Sequence, residues 1–483
     1  MAKQIKNTKQ INRDNPKQNQ GFKTKQGKDP KVIETLKLTI DTLDNEGIGL
    51  AQHEGKTALV QGALPKETVL VEVEHVGRTH IYTRLLKVLR NAPERTANIP
   101  CKKELECLGC PLIGMKYQAQ LDFKQQRVAD ALSAQGLLRD ELVQPTLASD
   151  PPVNYRASAK LVFGRKREKV TIGLYKRGTH DVVGCPDCPI HHPLINKIVA
   201  VVREEVQRQG ISVFSTKHNN GLLRYLLIRV SPLNDRAMVT FVSNFRDLQQ
   251  LPKLAKWLTR KVPEVIAVHQ NINSSSGNVI FGQESLKLLG TPDLIDRVND
   301  IRLRIAPGAF FQVNTLQTAR IYTLVREWAQ LKKNESALDL YCGIGGIALH
   351  LAKDAGKVYG IEVVPEAVRN ASDNAHLNGL KNCRFSAGDA AEQLRELSRE
   401  LKSLAVATLN PPRKGCDSEV LESLAALGPQ RLIYVSCDPD SLARDLVLLT
   451  QRNYRIEKVQ PVDMFPQTSH VETVVLLART EES

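Results

Sequence analysis

Apolar and polar residues alternate in short runs through residues 32–92, as in Leu36-Lys37-Leu38-Thr39-Ile40 and Val69-Leu70-Val71-Glu72-Val73. Period-two alternation buries one face of a strand. The turn formers Asp44-Asn45-Glu46-Gly47 and His53-Glu54-Gly55 separate the runs, so this stretch predicts a small β-barrel. Residues 93–300 mix strand and helix periods. Apolar positions from Leu121 to Gly136 recur three to four apart and predict an amphipathic helix, while Tyr225 to Val230 and Ala237 to Val242 read as strands. From residue 301 the pattern becomes regular. Leu338 to Tyr341, Val358 to Val363, Val406 to Leu409 and Leu432 to Val435 read as short buried strands. Helical stretches at Ile347 to Ala355, Pro365 to Asn378 and Ser441 to Gln451 lie between or beyond them. Such alternation predicts an α/β fold with a mostly parallel, doubly wound, Rossmann-like sheet over residues 301–483.

A chain of 483 residues is too long for a single hydrophobic core. Its net charge of +15 is uneven: residues 1–31 hold nine Lys/Arg and two Asp, leaving +8 for the rest. That tail has almost no apolar residues, so disorder is expected. It reads as a polyanion-binding arm or as a solubilising tail, and the charge on the remainder tilts the balance towards nucleic acid. No signal-peptide core and no run approaching the ~18–20 apolar residues of a membrane helix is present. A cytoplasmic protein with no membrane partner is expected, and its nine cysteines read as thiols, metal ligands or nucleophiles rather than disulfides.

The chemistry concentrates in the last third. The turn Leu338-Asp339-Leu340-Tyr341-Cys342-Gly343-Ile344-Gly345-Gly346 follows a strand, where doubly wound sheets bind ligands. Gly343, Gly345 and Gly346 would let backbone approach a ligand closely. Glu362 ends the next strand, where a carboxylate can bind ribose hydroxyls. By itself the turn could equally serve NAD, although the chain lacks the tight G-x-G-x-x-G fingerprint. Further on come Asn410-Pro411-Pro412-Arg413, Tyr434-Val435-Ser436-Cys437-Asp438-Pro439, Met464-Phe465-Pro466 and His470-Val471-Glu472. A cysteine at a strand end with a later carboxylate suggests covalent catalysis beside a nucleotide-like cofactor.

In order and spacing these motifs resemble the RNA uracil-5 methyltransferase family, which moves a methyl group from S-adenosyl-L-methionine to C5 of uridine. The resemblance covers nearly everything beyond the tail. It implies Cys437 as nucleophile and Glu472 as base. It also implies cofactor contacts at Gln312 (in Phe310-Phe311-Gln312-Val313-Asn314), Tyr341, Glu362, Asp389 and Asn410. Many members carry Asp where Asn410 stands, and Asn where Asp438 stands; a carboxylate beside the thiol disfavours its ionisation. Cys342, Cys383 and Cys416 read as non-catalytic thiols. Cys416 merits separate attention because RNA cytosine-5 methyltransferases use two cysteines. Residues 44–51 with Gly62-Ala63-Leu64-Pro65 resemble the TRAM domain, an RNA-binding barrel.

Cys101, Cys107 and Cys110 form C-x5-C-x2-C, followed downstream by Cys185-Pro186-Asp187-Cys188. By spacing, Cys107, Cys110, Cys185 and Cys188 would hold tetrahedral zinc, leaving Cys101 unused. The resemblance implies instead a [4Fe-4S] cluster on Cys101, Cys107, Cys110 and Cys188. Four segments are expected: the tail 1–31, the barrel 32–92, a central domain 93–300 carrying the cluster, and the catalytic domain 301–483. The resemblance implies a 23S ribosomal RNA (uracil-5-)-methyltransferase, acting as a monomer. Its rivals are a transfer RNA enzyme, an amino-group methyltransferase suggested by Asn410-Pro411-Pro412, and an RNA-binding assembly factor with a decayed site.

Overall fold

The structure, a computed structural model, describes residues 34–480 except 108, 177–178, 276–278 and 402. The basic tail lies outside the described residues.

Alternation in the first segment produces a six-stranded sheet in the order Thr35–Thr39, Thr68–Val76, His80–Arg90, Lys56–Val60, Gly49–His53 and Thr42–Leu43. Inward-facing Leu38, Val60, Val69 and Ile81 share one core with Ala51 from the far side of the sheet, so the sheet curls around its own apolar face. A second sheet, of seven strands, spans Ser158–Lys166 to Glu284–Gly290. Its apolar face, including Leu161, Phe163, Ile228 and Phe241, packs on the helices Pro193–Gln209 and Gln250–Lys261.

The third sheet carries the glycine turn and the cysteine and glutamate motifs of the last third of the chain. Its strands are β1 (Ser336–Leu340), β2 (Lys357–Glu362), β3 (Cys383–Ala387), β4 (Val406–Leu409), β5 (Arg431–Ser436), β6 (Tyr454–Val462) and β7 (Glu472–Arg479). They lie in the order β3-β2-β1-β4-β5-β7-β6. The first five are parallel, whereas β7 is antiparallel to both its neighbours. The doubly wound prediction holds, with this inserted strand as the addition. Strand order reverses between β1 and β4, and the crevice at such a switch point binds ligands at the carboxyl ends.

The predicted amphipathic helix forms as Tyr117–Ala134. Its Val128, Ala131 and Leu132 join the core of the third sheet, beside Leu442, Leu446 and Val459. The chain after it extends that sheet, with Val143 and Leu147 bridging in parallel to Val459 and Val462. Residues 117–147 thus pack with the catalytic sheet although the second sheet follows them in sequence. Among the described residues no helix is long and apolar enough to cross a membrane.

Candidate active site

The residues singled out as cofactor contacts gather along one edge. Tyr341 follows β1, Glu362 ends β2, Asp389 follows β3 and Asn410 follows β4, so all four sit at the carboxyl ends of adjacent parallel strands. Glu362 braces the glycine turn: its Oε2 accepts the Gly343 N–H at 3.1 Å and its Oε1 the Val364 N–H at 3.0 Å. Asn410 donates its backbone N–H to Leu340 O at 3.3 Å, tying the end of β4 to β1. Asp389 caps the helix Ala390–Glu400, its Oδ1 accepting from Ala391 N at 2.9 Å and Glu392 N at 3.2 Å. Gln312 is half-buried, two positions before Asn314, the N-cap of Thr315–Ala329. Phe310 beside it is 74% exposed and Val363 after β2 is 65% exposed, so neither belongs to the core.

The glycines divide their labour differently from expectation. Gly343 has φ +55, and a Cβ there would meet nothing within 4 Å, which leaves that part of the turn open to a ligand. Gly345 has φ +87, which is what requires glycine there. At Gly346 a Cβ would lie 2.3 Å from the Tyr322 hydroxyl. The absent side chain at Gly346 therefore serves helix packing, not ligand approach. Beneath the turn, buried Asp339 accepts from Thr408 Oγ1 at 2.6 Å and Ala348 N at 2.9 Å, and burial pushes its carboxyl up to about 7.

Further along the same edge, Cys437 follows β5 and Glu472 opens β7. The antiparallel register pairs Ser436 with Thr473, which sets Cys437 opposite Glu472. Burial pushes the Cys437 thiol up to about 11, the Glu472 carboxylate adds to this, and the Arg413 guanidinium opposes it. Burial likewise pushes Glu472 up to about 7 against the pull of Arg413. Glu472 is 3% exposed, and its Oε2 has no hydrogen-bond partner. Asp438, the neighbour that departs from the family pattern, caps the helix Pro439–Thr450 through Ser441 N at 2.8 Å. It acts on the thiol more weakly than Glu472 does.

Sequence reading took Arg413 only as the residue standing where amino-group methyltransferases have an aromatic. In the structure it is the cation that acts on both Cys437 and Glu472, and it lies 3.4 Å from His470 Nε2. The loop from Asp463 to Val471, which delivers Glu472, is held from outside the sheet. Asp463 pairs with Lys124 at 2.5 Å, with neither side chain exposed, and accepts the Tyr117 hydroxyl at 2.8 Å. Gln120 donates to Gln467 Oε1 at 3.0 Å and accepts the Gln467 N–H at 2.9 Å. No local motif signals these pairs, because their partners lie more than three hundred positions apart.

The cysteines at 101, 107, 110, 185 and 188 come together. The Cys110 thiol is raised by burial and by Cys188, Cys107 and Cys101. Cys107 Sγ lies 3.9 Å from Cys185 Sγ, so the site has a fifth thiol. Among the described residues no three His, Cys, Asp or Glu side chains are close enough to hold a single metal ion. The adjoining Leu112 donates its N–H to Gln467 O at 3.1 Å, which links this cluster to the loop before Glu472.

Residues 116–480 match the tRNA (uracil-5-)-methyltransferase family. An uncharacterized RNA methyltransferase of Geobacter sulfurreducens is 44% identical over 453 residues, covering 94% of this chain and 92% of the relative. One from Caldanaerobacter subterraneus is 38% identical over 450 residues, covering 93% and 99%. Among solved structures, the Pyrococcus abyssi tRNA (uracil-54, C5)-methyltransferase, in complex with S-adenosyl-L-homocysteine, superposes with a TM-score of 0.73. It is 25% identical, and the match covers 92% of this chain and 99% of that one. Similarity sustained from before the helix Tyr117–Ala134 to the last strand makes one assignment: the chain belongs to the RNA uracil-5 methyltransferases, S-adenosylmethionine-dependent enzymes that act on RNA.

Proposed function

We propose that this chain methylates C5 of a specific uridine in 23S ribosomal RNA through a covalent adduct between Cys437 and C6. The observation that carries the mechanism is the pairing of Cys437 with a buried Glu472 beside a methyltransferase-type ligand crevice. C5 of uracil is a poor nucleophile. Addition of the Cys437 thiolate to C6 turns the ring into an enolate with a reactive C5. Arg413 favours the anionic form of both side chains. S-adenosylmethionine, when bound, supplies an electrophilic methyl group. Glu472 then takes the C5 proton, and the thiolate leaves by elimination. A carboxyl raised to about 7 suits a base working near neutral pH. Gln312, Tyr341, Glu362, Asp389 and Asn410 bind the cofactor in this reading. Its support is the common edge of the last four and the family membership; Gln312, in the loop before the helix Thr315–Ala329, rests on the family membership alone.

Cys101, Cys107, Cys110 and Cys188 would hold a [4Fe-4S] cluster. Four cysteine thiolates are what such a cluster needs, and these four gather beside Cys185. The group would brace the chain between the barrel and the loop before Glu472. The curled sheet of the first segment is read as a TRAM barrel that holds RNA.

Ribosomal RNA rests on the family resemblance. A second reading, transfer RNA, is favoured by the Pyrococcus abyssi enzyme, whose coverage of 92% of this chain means that extra segments do not separate the two substrates. In either RNA the target must leave its stack to expose C6, so a hairpin loop or bulge is expected. The deciding experiment maps 5-methyluridine by mass spectrometry after incubating purified protein with 23S rRNA and with tRNA, using Cys437→Ala as the blank. Methylation of tRNA alone would overturn the ribosomal reading.

A further inference from the structure

The hairpin between β6 and β7 closes on a pair that includes the proposed base, since Val462 is registered with Glu472. Its loop runs from Asp463 to Val471 and is buried except at Phe465 and His470. Buried backbone carbonyls need donors, and this loop finds them in other segments. The Asp463 carbonyl accepts from Gln317 Nε2 at 3.0 Å, and the Met464 carbonyl from Asn314 Nδ2 at 3.3 Å. Lys124 Nζ donates to Phe465 O at 3.0 Å, and the Tyr155 hydroxyl donates to Pro466 O at 3.0 Å. With Leu112 N on Gln467 O, five consecutive carbonyls are each held by a different residue outside the loop.

The donors come from different parts of the fold. Asn314 and Gln317, 1% and 0% exposed, stand at the start of the helix Thr315–Ala329, just after Gln312. Asn314 caps that helix with its Oδ1, which accepts from Gln317 N at 3.2 Å. Its Nδ2 is left for Met464 O and for Ser149 Oγ at 3.1 Å. The segment before them is pinned in turn: Ala157 N donates to Val313 O at 2.7 Å, and Arg229 Nη2 to Ala309 O at 3.0 Å. Tyr155, 6% exposed, lies on the chain that enters the second sheet at Ser158–Lys166. The loop before Glu472 is thus tied both to the segment carrying Gln312 and to the second sheet. Among the described residues Glu472 Oε2 has no hydrogen-bond partner, so its place is set by the backbone on either side. A general base must come within about 2.6–3.2 Å of the atom it deprotonates, and small misplacements are costly in rate.

We propose that Asn314, Gln317 and Tyr155 are positioning residues for proton abstraction: by holding the carbonyls of Asp463, Met464 and Pro466, they fix the Glu472 carboxylate against C5 and set the rate of adduct resolution rather than that of adduct formation. This rests on the reading of Glu472 as the base. In that step the C5 proton passes to the carboxylate, the C5–H electrons form the C5–C6 double bond, and the C6–S bond breaks to return the thiolate. Cys437 follows β5 and is not carried by this loop, so addition to C6 does not run through it.

The test is single-turnover quenching with S-adenosylmethionine and the rRNA or tRNA that the protein methylates, in Tyr155→Phe, Asn314→Ser, Gln317→Leu and Glu472→Gln. Tyr155→Phe deletes one hydroxyl, and Asn314→Ser retains an oxygen to cap the helix. Each of the first three should slow resolution roughly tenfold, the size of one buried hydrogen bond lost, and the adduct should accumulate in denaturing electrophoresis. The rate of adduct formation and the affinity for S-adenosylhomocysteine should not move. Where Gln317→Leu does not fold, the two milder variants decide. Wild-type resolution in Tyr155→Phe and Asn314→Ser, beside a stalled Glu472→Gln, would overturn the positioning role alone, as would equal slowing of both steps in a folded variant. Wild-type resolution in Glu472→Gln would overturn the reading of the base and the proposal with it.

Discussion

Cys437 and Glu472 stand opposite each other because Ser436 is registered with Thr473 across β5 and β7. Side chains alternate faces along a strand, so a slip of one residue would turn Glu472 away from the thiol. The register is held by a buried face: Tyr434, Val435, Val474 and Val475 are each 0–1% exposed. The geometry of the proposed catalytic pair follows from sheet packing.

Glu472→Gln should stall the reaction after methyl transfer, since in the proposed mechanism Glu472 is the group that takes the C5 proton. The stalled species is a covalent protein–RNA adduct, visible as a slow band in denaturing electrophoresis. Free methylated RNA released at the wild-type rate would rule Glu472 out as the base.

The pH dependence should separate the two side chains. Adduct resolution needs ionised Glu472, so its rate should rise about tenfold per pH unit below neutrality and level off above about 7. Adduct formation needs the thiolate and should keep rising into the alkaline range, because burial pushes Cys437 up to about 11. Single-turnover quench experiments distinguish the phases, and a common profile for both would contradict this assignment. Stability runs the other way. The folded carboxyl is raised from 4.5 to about 7, so its contribution is complete below about 4.5 and is lost as pH rises through 7. Glu472→Gln should therefore gain about 3 kcal/mol on wild type across that window, read by urea unfolding.

Lys124→Met should destabilise the protein by about 3–5 kcal/mol, because it leaves Asp463 buried without its cation. Adding Asp463→Leu should recover part of that loss, which a double-mutant cycle in urea measures. Activity should fall as well, since Asp463 anchors the loop that ends at Glu472. Additive effects of the two substitutions would show that the pair is not coupled.

The purified protein should be brown, with about four irons per chain and a broad absorbance that chelator bleaches. Cys188→Ser should lose more iron than Cys185→Ser. Colourless protein containing one zinc would reverse the assignment, as would equal losses in the two variants.

Local pattern made much of this protein legible. Apolar runs bounded by turn formers placed β1, β2, β4 and β5 to within a residue or two, because a buried parallel strand must be apolar on both faces. The glycine turn, Cys437 and Glu472 stood out as candidates because the proposed chemistry demands particular residue types. Strand β7 and its antiparallel register were not visible, although its apolar run is plain, since pairing direction depends on a neighbour that sequence does not name. The helix Tyr117–Ala134 was legible as a helix, but not as a wall of the catalytic sheet, for periodicity reveals which face is buried and not against what. Arg413 and Lys124 acquire their surroundings only from charges brought in by other elements. Sequence alone determined which chemical groups this chain possesses and the local elements that carry them. Tertiary structure decided which groups meet and how deeply they are buried, because Coulomb and desolvation energies depend on distances that only the packed chain defines.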